Sequence, residues 1–399
     1  MTLHIADRRE RALVATADRI LGAVSAMAHP FRRRERPAAL KRILVLRLER
    51  IGDLLMTLPA LADLRTLAAG AEIDLIVGSW NADLARAIDP VTRTLPLDAA
   101  WLARERQGDT LPSLIGAARR WRHARYDLAI NFEPDIRSNL ILAASGAAWT
   151  AGYRSGGGGS LLDVAIDYDQ RAHTSDNARR LVSTLFQAPV PEDVSPALVV
   201  PSESHQNASR LLRDTDGPLI GIHASGGRAI KQWPPERFAE VGRRLVDAVG
   251  ATIVLTGGPG DRGLVEVVKA ALPAAHVVDI AGHADLLTLA GVLERLDLLI
   301  TGDTGPMHLA VAVGTPVVAV FGPSDPARYG PRGPYDRIVR IDLPCSPCNR
   351  IRQPPERCVG HTPDCLAFIG PDRVVEAART VLDESARAGT QPARTSTSA

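Results

Sequence analysis

The strongest constraint on this chain is the repeated alternation of short, mainly apolar runs with longer amphipathic ones. "ILVLRL" (43–48), "EIDLIVG" (72–78) and "YDLAINF" (126–132) are buried-strand runs separated by helical stretches. The pattern resumes with "LIGIHA" (219–224), the helix "PERFAEVGRRLVDAV", then "TIVLTGG" (252–258). "VVDIAG", a helix through "LLTLAGVLERL", "DLLIT" and "VVAVF" complete the series. Such alternation specifies an α/β chain whose parallel sheets are covered by helices on both faces. After the first strand, "LLMTLPALADLRTLAA" is helical in period, and Pro59 must kink it or mark its true first turn.

At 399 residues the chain is too long for one hydrophobic core, so two domains are expected. The first covers residues 41–190 and the second 206–370, joined by a proline-rich linker at 191–205 that lacks helical period. A final helix is expected over 371–386 and a disordered tail over 387–399. "YRSGGGGS" (153–160) reads as a flexible loop and not a nucleotide fingerprint, because no strand leads directly into it and no clear helix opens from it. Two similar α/β domains with a crevice between them suit a nucleotide-type ligand held outside the carboxyl ends of the strands.

The N-terminal arm, residues 1–40, has a different character. Residues 1–42 carry ten Lys/Arg against four Asp/Glu, whereas the whole chain has a net charge of only +2. Leu13, Ala17, Ile20, Leu21, Val24 and Met27 recur at helical spacing, and "FRRRER" follows. A basic amphipathic helix can lie on an anionic membrane surface; it can equally pack on its own protein. Asp18 and Arg19 interrupt the apolar region, which argues against a secretory signal, and no apolar run is long enough to span a bilayer. A cytoplasmic protein is therefore expected. Nucleic acid is a poor partner, because the basic residues are confined to the arm and aromatics are few.

The chemistry-bearing motifs lie where strands end. "LDLLITGDTGPMHLAVAV" delivers Asp303, Thr304 and Gly305 to the end of a strand and the start of a helix. The helix dipole and free N–H groups there stabilise an anion such as phosphate. Thr304 adds a hydroxyl, Gly305 allows close backbone approach, and His308 lies one turn on. The plainer alternative is a Thr304 cap, an Asp303 bonded to nearby backbone and a surface His308. In the first domain, "RIGDLL" places Asp53 at the equivalent point, where a carboxylate can act as a general base or merely cap a helix. "HASGGRAIKQWPPERF" (223–238) offers Lys231 beside a glycine turn, either to neutralise phosphate charge or as a solvated lysine next to a core Trp233. "LTGGPGDRGL" (255–264) is another glycine-rich turn, in which Asp261 could bond a ribose hydroxyl.

All four cysteines fall within 21 residues, as Cys345, Cys348, Cys358 and Cys365. Four clustered thiolates suit structural zinc or iron; disulfide pairing and inert thiols are the alternatives.

In their order and spacing, "ILVLRLERIGDLLMTLPALADLR", "KQWPPERFAEVGRRL", "DTGPMHLAVAVGTPVVAVFGPSDPARYGP" and "PCSPC" resemble glycosyltransferase family 9, the heptosyltransferases that use an ADP-activated heptose. The resemblance runs from about residue 41 to 383. It implies the GT-B architecture, two Rossmann-like doubly wound domains facing a central cleft, and inverting transfer without a catalytic cofactor. By the same resemblance Asp53 is the general base, and Lys231, Thr304, Gly305 and His308 hold the donor diphosphate with Asp303 orienting them. Ser225 and Gly226 occupy the donor-loop position, although the family more often has Pro-Gly-Ala there. Acceptor candidates are Glu133 and Arg137 in "NFEPDIRSN" and His173 and Asn177 in "HTSDNARRL". The implied partners are an ADP-sugar and the lipopolysaccharide core, with peripheral attachment to the inner membrane through the arm. The cysteines leave open an adhesin-modifying branch of the family that carries iron. A nucleotide-sugar epimerase and a catalytically silent nucleotide-sugar-binding protein are the remaining alternatives.

Overall fold

The computed structural model describes residues 3, 7–28, 37–102, 108–190, 198–213, 215–387 and 389. The chain divides into two compact units, Met1–Val199 and Val200–Ala399. The first part of the expected linker, 191–197, lies outside the described residues, as do "FRRRER" and all of the tail except Arg387 and Gly389.

Unit 1 runs α1 (Arg8–Ala28), β1 (Arg42–Leu46), α2 (Ile51–Leu55), α3 (Leu58–Leu67), β2 (Glu72–Val77), α4 (Ala82–Arg86), β3 (Val91–Pro96), α5 (Leu111–Arg120), β4 (Leu128–Asn131), α6 (Ile136–Ala144), β5 (Trp149–Tyr153), β6 (Val164–Ile166) and α7 (Thr174–Phe186). Its six-stranded sheet has the order β3-β2-β1-β4-β5-β6, and each pairing is parallel. Leu44, Leu46 and Ala129 are wholly buried, with Leu114 and Ile141 from flanking helices packed over them. Strands buried on both faces explain the unbroken apolar runs in the sequence. Pro59 sits in the first turn of α3, so the long helical pattern divides at Met56–Thr57 instead of kinking.

Unit 2 runs α8 (Ser202–Leu211), β7 (Leu219–His223), α9 (Pro235–Val249), β8 (Thr252–Thr256), α10 (Arg262–Ala270), β9 (Val277–Asp279), α11 (Leu286–Leu293), β10 (Leu298–Gly302), α12 (Gly305–Ala312), β11 (Val317–Val320), α13 (Pro326–Tyr329), β12 (Arg337–Val339), α14 (Asp364–Ala367) and α15 (Pro371–Arg387). Helix α8 begins inside the stretch read as linker; its register is set by small buried residues, Ser204 and Ala208, which let it lie close against Gly291 of α11. The sheet order β12-β11-β10-β7-β8-β9 is unit 1's order traversed from the other edge. Both are the doubly wound order in which the strand sequence reverses between the first and fourth strands, β1/β4 and β7/β10. The segments that follow the carboxyl ends of those four strands carry Asp53, on α2, and Glu133, Ser225 and Asp303, on loops.

The glycine-rich segment at 153–160 is not a free loop. Ser155 through Gly158 are buried, and a Cβ on Gly156 would lie 1.9 Å from the Pro134 carbonyl oxygen. Gly157 adopts φ +91° and passes so close to α1 that a Cβ would meet Val14 at 2.7 Å. Small size, not flexibility, is what the glycines supply. Helix α1 docks here with Asp18 accepting the Gly158 N–H at 2.7 Å and Ser25 donating to the Ser160 carbonyl at 2.8 Å. This docking leaves Leu13, Ile20, Val24 and Met27 between 53% and 72% exposed.

Candidate active site: two half-sites at the switch points

In unit 1, β1 ends at Leu46 and the chain turns through Arg47–Arg50 into α2. Asp53 is the third residue of that short helix, and its Oδ2 accepts the Arg50 N–H at 3.2 Å in a capping box. Its other oxygen lies 3.6 Å from Nη2 of Arg47, and the side chain keeps 28% of its surface exposed. It therefore takes the cap role that the sequence offered and still presents a carboxylate to solvent.

The acceptor candidates separate into two groups. Arg137 stays partly exposed, forked onto Asp135 with Nε 2.9 Å from Oδ1, stacked 4.7 Å over Trp101 and 3.9 Å from Glu10. Glu133, His173 and Asn177 point inward. Glu133 accepts from the N–H groups of Leu48 and Glu49 and from the Ser138 hydroxyl. Burial pushes its carboxyl up from the ordinary range, against the pull of Arg47. His173 caps α7, its Nδ1 accepting from the Ser175 N–H at 3.2 Å. Asn177 is fully buried, accepting from the Asp169 N–H and donating to the Asp169 carbonyl. All three side chains are engaged by nearby backbone, which fixes their orientation within unit 1.

In unit 2, Asp303 follows β10 and meets Lys231, which closes a short 3₁₀ turn at Ala229–Lys231. Lys231 Nζ donates to the Asp303 carbonyl at 2.5 Å and to its Oδ2 at 3.0 Å. His308 Nε2 lies 4.0 Å from Oδ1 of the same carboxylate, and His308 itself is buried, not a surface histidine. Burial alone would raise the Asp303 carboxyl, but Lys231 and His308 hold it below the usual carboxylate range. Thr304 does not cap α12 with its side chain; its hydroxyl pairs with that of Thr301 at 3.1 Å. The helix therefore begins at Gly305 with Pro306 in its first turn and its first N–H groups free of a side-chain cap.

Gly226 donates to Gln232 Oε1 at 2.6 Å, and a Cβ there would sit 2.7 Å from the Gln232 backbone N. Only glycine lets this loop close onto the segment carrying Lys231. Ser225 Oγ accepts the Gly227 N–H at 3.3 Å, and Asp261 Oδ2 accepts the Gly258 N–H at 2.8 Å. Trp233 is core, its Nε1 donating to the Ile369 carbonyl. Gln232 was missed from sequence, although it donates back to the Ala224 carbonyl and so fastens the donor-side loop at both ends. His223, at the end of β7, was also missed; burial lowers its basicity and its Nδ1 pairs with Thr256 Oγ1 at 3.1 Å. Arg47 carried a legible signal, a cation inside an otherwise apolar strand run.

The four cysteines supply soft donors of the kind zinc and iron take. Cys345 is exposed, Cys348 and Cys358 half-buried and Cys365 buried. Burial pushes the Cys365 thiol up to about 11, with added repulsion from Cys348, Cys345 and Cys358. They share a neighbourhood, yet among the described residues no three Cys, His, Asp or Glu side chains gather closely enough to hold an ion. The metal centre expected from their spacing is therefore not shown among the described residues.

Residues 116–358 match the model of glycosyltransferase family 9 (heptosyltransferase). The lipopolysaccharide heptosyltransferase 2 of Salmonella typhimurium is 26% identical over 361 residues, covering 86% of this chain and 99% of that protein. A family 9 glycosyl transferase from Veillonella parvula superposes with a TM-score of 0.74 at 26% identity, covering 88% of this chain and 99% of that one. The E. coli ADP-heptose LPS heptosyltransferase II shares the fold, with a TM-score of 0.70 at 22% identity over 86% of this chain and 99% of that one. With more than half its length matched to the family model and two doubly wound sheets of the same strand order, the chain belongs to glycosyltransferase family 9, the heptosyltransferases.

Proposed function

We propose that the chain transfers heptose, with inversion, from an ADP-heptose-type donor to the inner core of lipopolysaccharide. The observation that carries this is the Lys231–Asp303–His308 cluster beside the start of α12, a ready cationic and N–H-rich cradle for a diphosphate. The names of the full-length relatives supply the sugar and the acceptor class. Asp53 takes the proton from an acceptor hydroxyl as its oxygen bonds the anomeric carbon. The bond from that carbon to the donor phosphate oxygen breaks, and Lys231, Thr304, Gly305 and His308 offset the charge left on ADP. Asp303 orients Lys231, while Ser225, Gly226 and Asp261 line the nucleotide side. Arg137 is the remaining acceptor contact. Mass spectrometry of lipid oligosaccharide from cells lacking the protein tests this: a core truncated at a heptose is expected, and an unchanged core contradicts it.

The same proposal places the enzyme at the cytoplasmic face of the inner membrane, held by α1. No helix among the described residues is long and apolar enough to cross a membrane. Support comes from the exposed apolar stripe of α1, bordered by exposed Arg9, Arg11 and Arg19 and followed in sequence by four more arginines at 32–36, which complement an anionic lipid surface. Sedimentation with vesicles containing anionic lipid, lost on Ile20→Glu with Val24→Glu, checks it; equal sedimentation of the variant removes α1 as the anchor. No metal takes part in the transfer. A structural zinc or iron would be held by Cys345, Cys348, Cys358 and Cys365, and metal analysis of the purified protein decides whether one is bound.

A further inference from the structure

Two buried, oppositely charged side chains surround the turn that presents Asp53, and neither has a part in the chemistry above. Arg47 is 2% exposed. Its Nη1 donates to the Phe132 carbonyl at 2.6 Å and meets Glu49 Oε2 at 2.9 Å. Its Nε donates to the Asp53 carbonyl at 3.1 Å, and Nη2 faces the Asp53 carboxylate at 3.6 Å. Glu133, likewise 2% exposed, grips the other side of the turn through the Leu48 and Glu49 N–H groups. Residues 47–53 are thus tied to the end of β4 by a cation from below and an anion from beside.

Burying both charges is a poor way to gain stability, since desolvation offsets most of their attraction and apolar residues of the same volume would serve as well. What the charges add is direction. The guanidinium is planar and its donors are fixed in a fork, so the bond from Nε to the Asp53 carbonyl also fixes where the charge of Nη2 lies beside the Asp53 carboxylate. Both of those donors reach Asp53, one its backbone and one its carboxylate.

We propose that Arg47, braced by Glu133, is a positioning residue for sugar transfer, aiming the Asp53 carboxylate at the acceptor hydroxyl. The inference rests on Asp53 acting as the base. A misplacement of about 1 Å at such a group lowers turnover about 100-fold while leaving donor binding alone.

The test uses the full chain, ADP-heptose and lipid acceptor extracted from cells lacking the protein. Arg47→Met is expected to lower kcat about 100-fold with KM for ADP-heptose unchanged, and Arg47→Lys to recover about tenfold of that loss because a cation returns without the fork. Glu133→Gln keeps the shape and one acceptor, and should cost about tenfold in kcat. Thermal unfolding identifies any variant that fails to fold; should Arg47→Met be one, the Lys and Gln variants carry the comparison. A folded Arg47→Met with full kcat overturns the proposal, as does a loss that Lys does not relieve and that raises KM for ADP-heptose in step. The parent assignment fails separately: Asp53→Asn retaining full turnover removes the base whatever Arg47 does, and no transfer by the unaltered chain removes both.

Discussion

The two units have the same strand order, and each places a carboxylate just past a switch-point strand, yet the two carboxylates are treated in opposite ways. Asp53 keeps 28% of its side chain exposed, with Arg47 Nη2 3.6 Å from its carboxylate. Asp303 keeps 13%, and Lys231 reaches both its side chain and its backbone while His308 closes in from α12. One carboxylate is left partly open to solvent; the other holds a cation in place. The same topology thus presents two differently surrounded carboxylates. What decides between them is which neighbours the turn admits: backbone N–H groups and one guanidinium for Asp53, an ammonium and an imidazole for Asp303.

The largest expected effect separates these roles by rate. Asp53→Asn should lower kcat about 10²–10⁴-fold, measured as ADP release in the presence of acceptor. Lys231→Ala should lower kcat/KM for the donor about 10²–10³-fold, because charge on the leaving diphosphate loses its partner. Equal small effects from both would erase the contrast. A structural effect comes next. Gly156→Ala in unit 1 forces a Cβ onto the Pro134 carbonyl and should destabilise by about 1–3 kcal/mol, read as a lower Tm in thermal unfolding. Wild-type stability in that variant would mean the loop has room that the packing denies. The smallest effect is in pH. The Asp303 carboxyl is held below its ordinary value, so its ion pair contributes fully above the unfolded pKa of about 3.9 and the contribution is lost as pH falls through the lower folded value. The Tm gap between wild type and Asp303→Asn should therefore be widest near neutrality and close below about pH 4. A gap independent of pH would show that the pair is not what stabilises this turn.

The core strands were legible because parallel sheets bury both faces, so β1, β2, β4, β7, β8, β10 and β11 read as unbroken apolar runs. The strands β3, β5, β6 and β12 were not. "VTRTLP" is half exposed at a sheet edge, and "WTAGY", "VAI" and "RIV" are too short or too mixed for a period to show. Among the candidate site residues, Asp53, Lys231, Asp303 and His308 stand out in sequence because each lies near a glycine turn after a strand. Glu133, His173 and Asn177 look the same in sequence, and the structure engages all three with backbone inside unit 1. Nothing local distinguishes the two cases, since what separates them is whether a distant backbone N–H arrives to occupy the side chain: Leu48 for Glu133, Asp169 for Asn177. The "SGGGG" run misled for a related reason, because glycine permits tight packing as readily as mobility.

Calorimetric titration of ADP-heptose into Asp53→Asn and Lys231→Ala, side by side with the unaltered protein, tests the division of labour most directly. The expected result is an unchanged Kd for Asp53→Asn and a Kd weakened about tenfold or more for Lys231→Ala, matching the loss of one charge-assisted contact to the diphosphate. Weakened donor binding in Asp53→Asn together with undiminished binding in Lys231→Ala would contradict it.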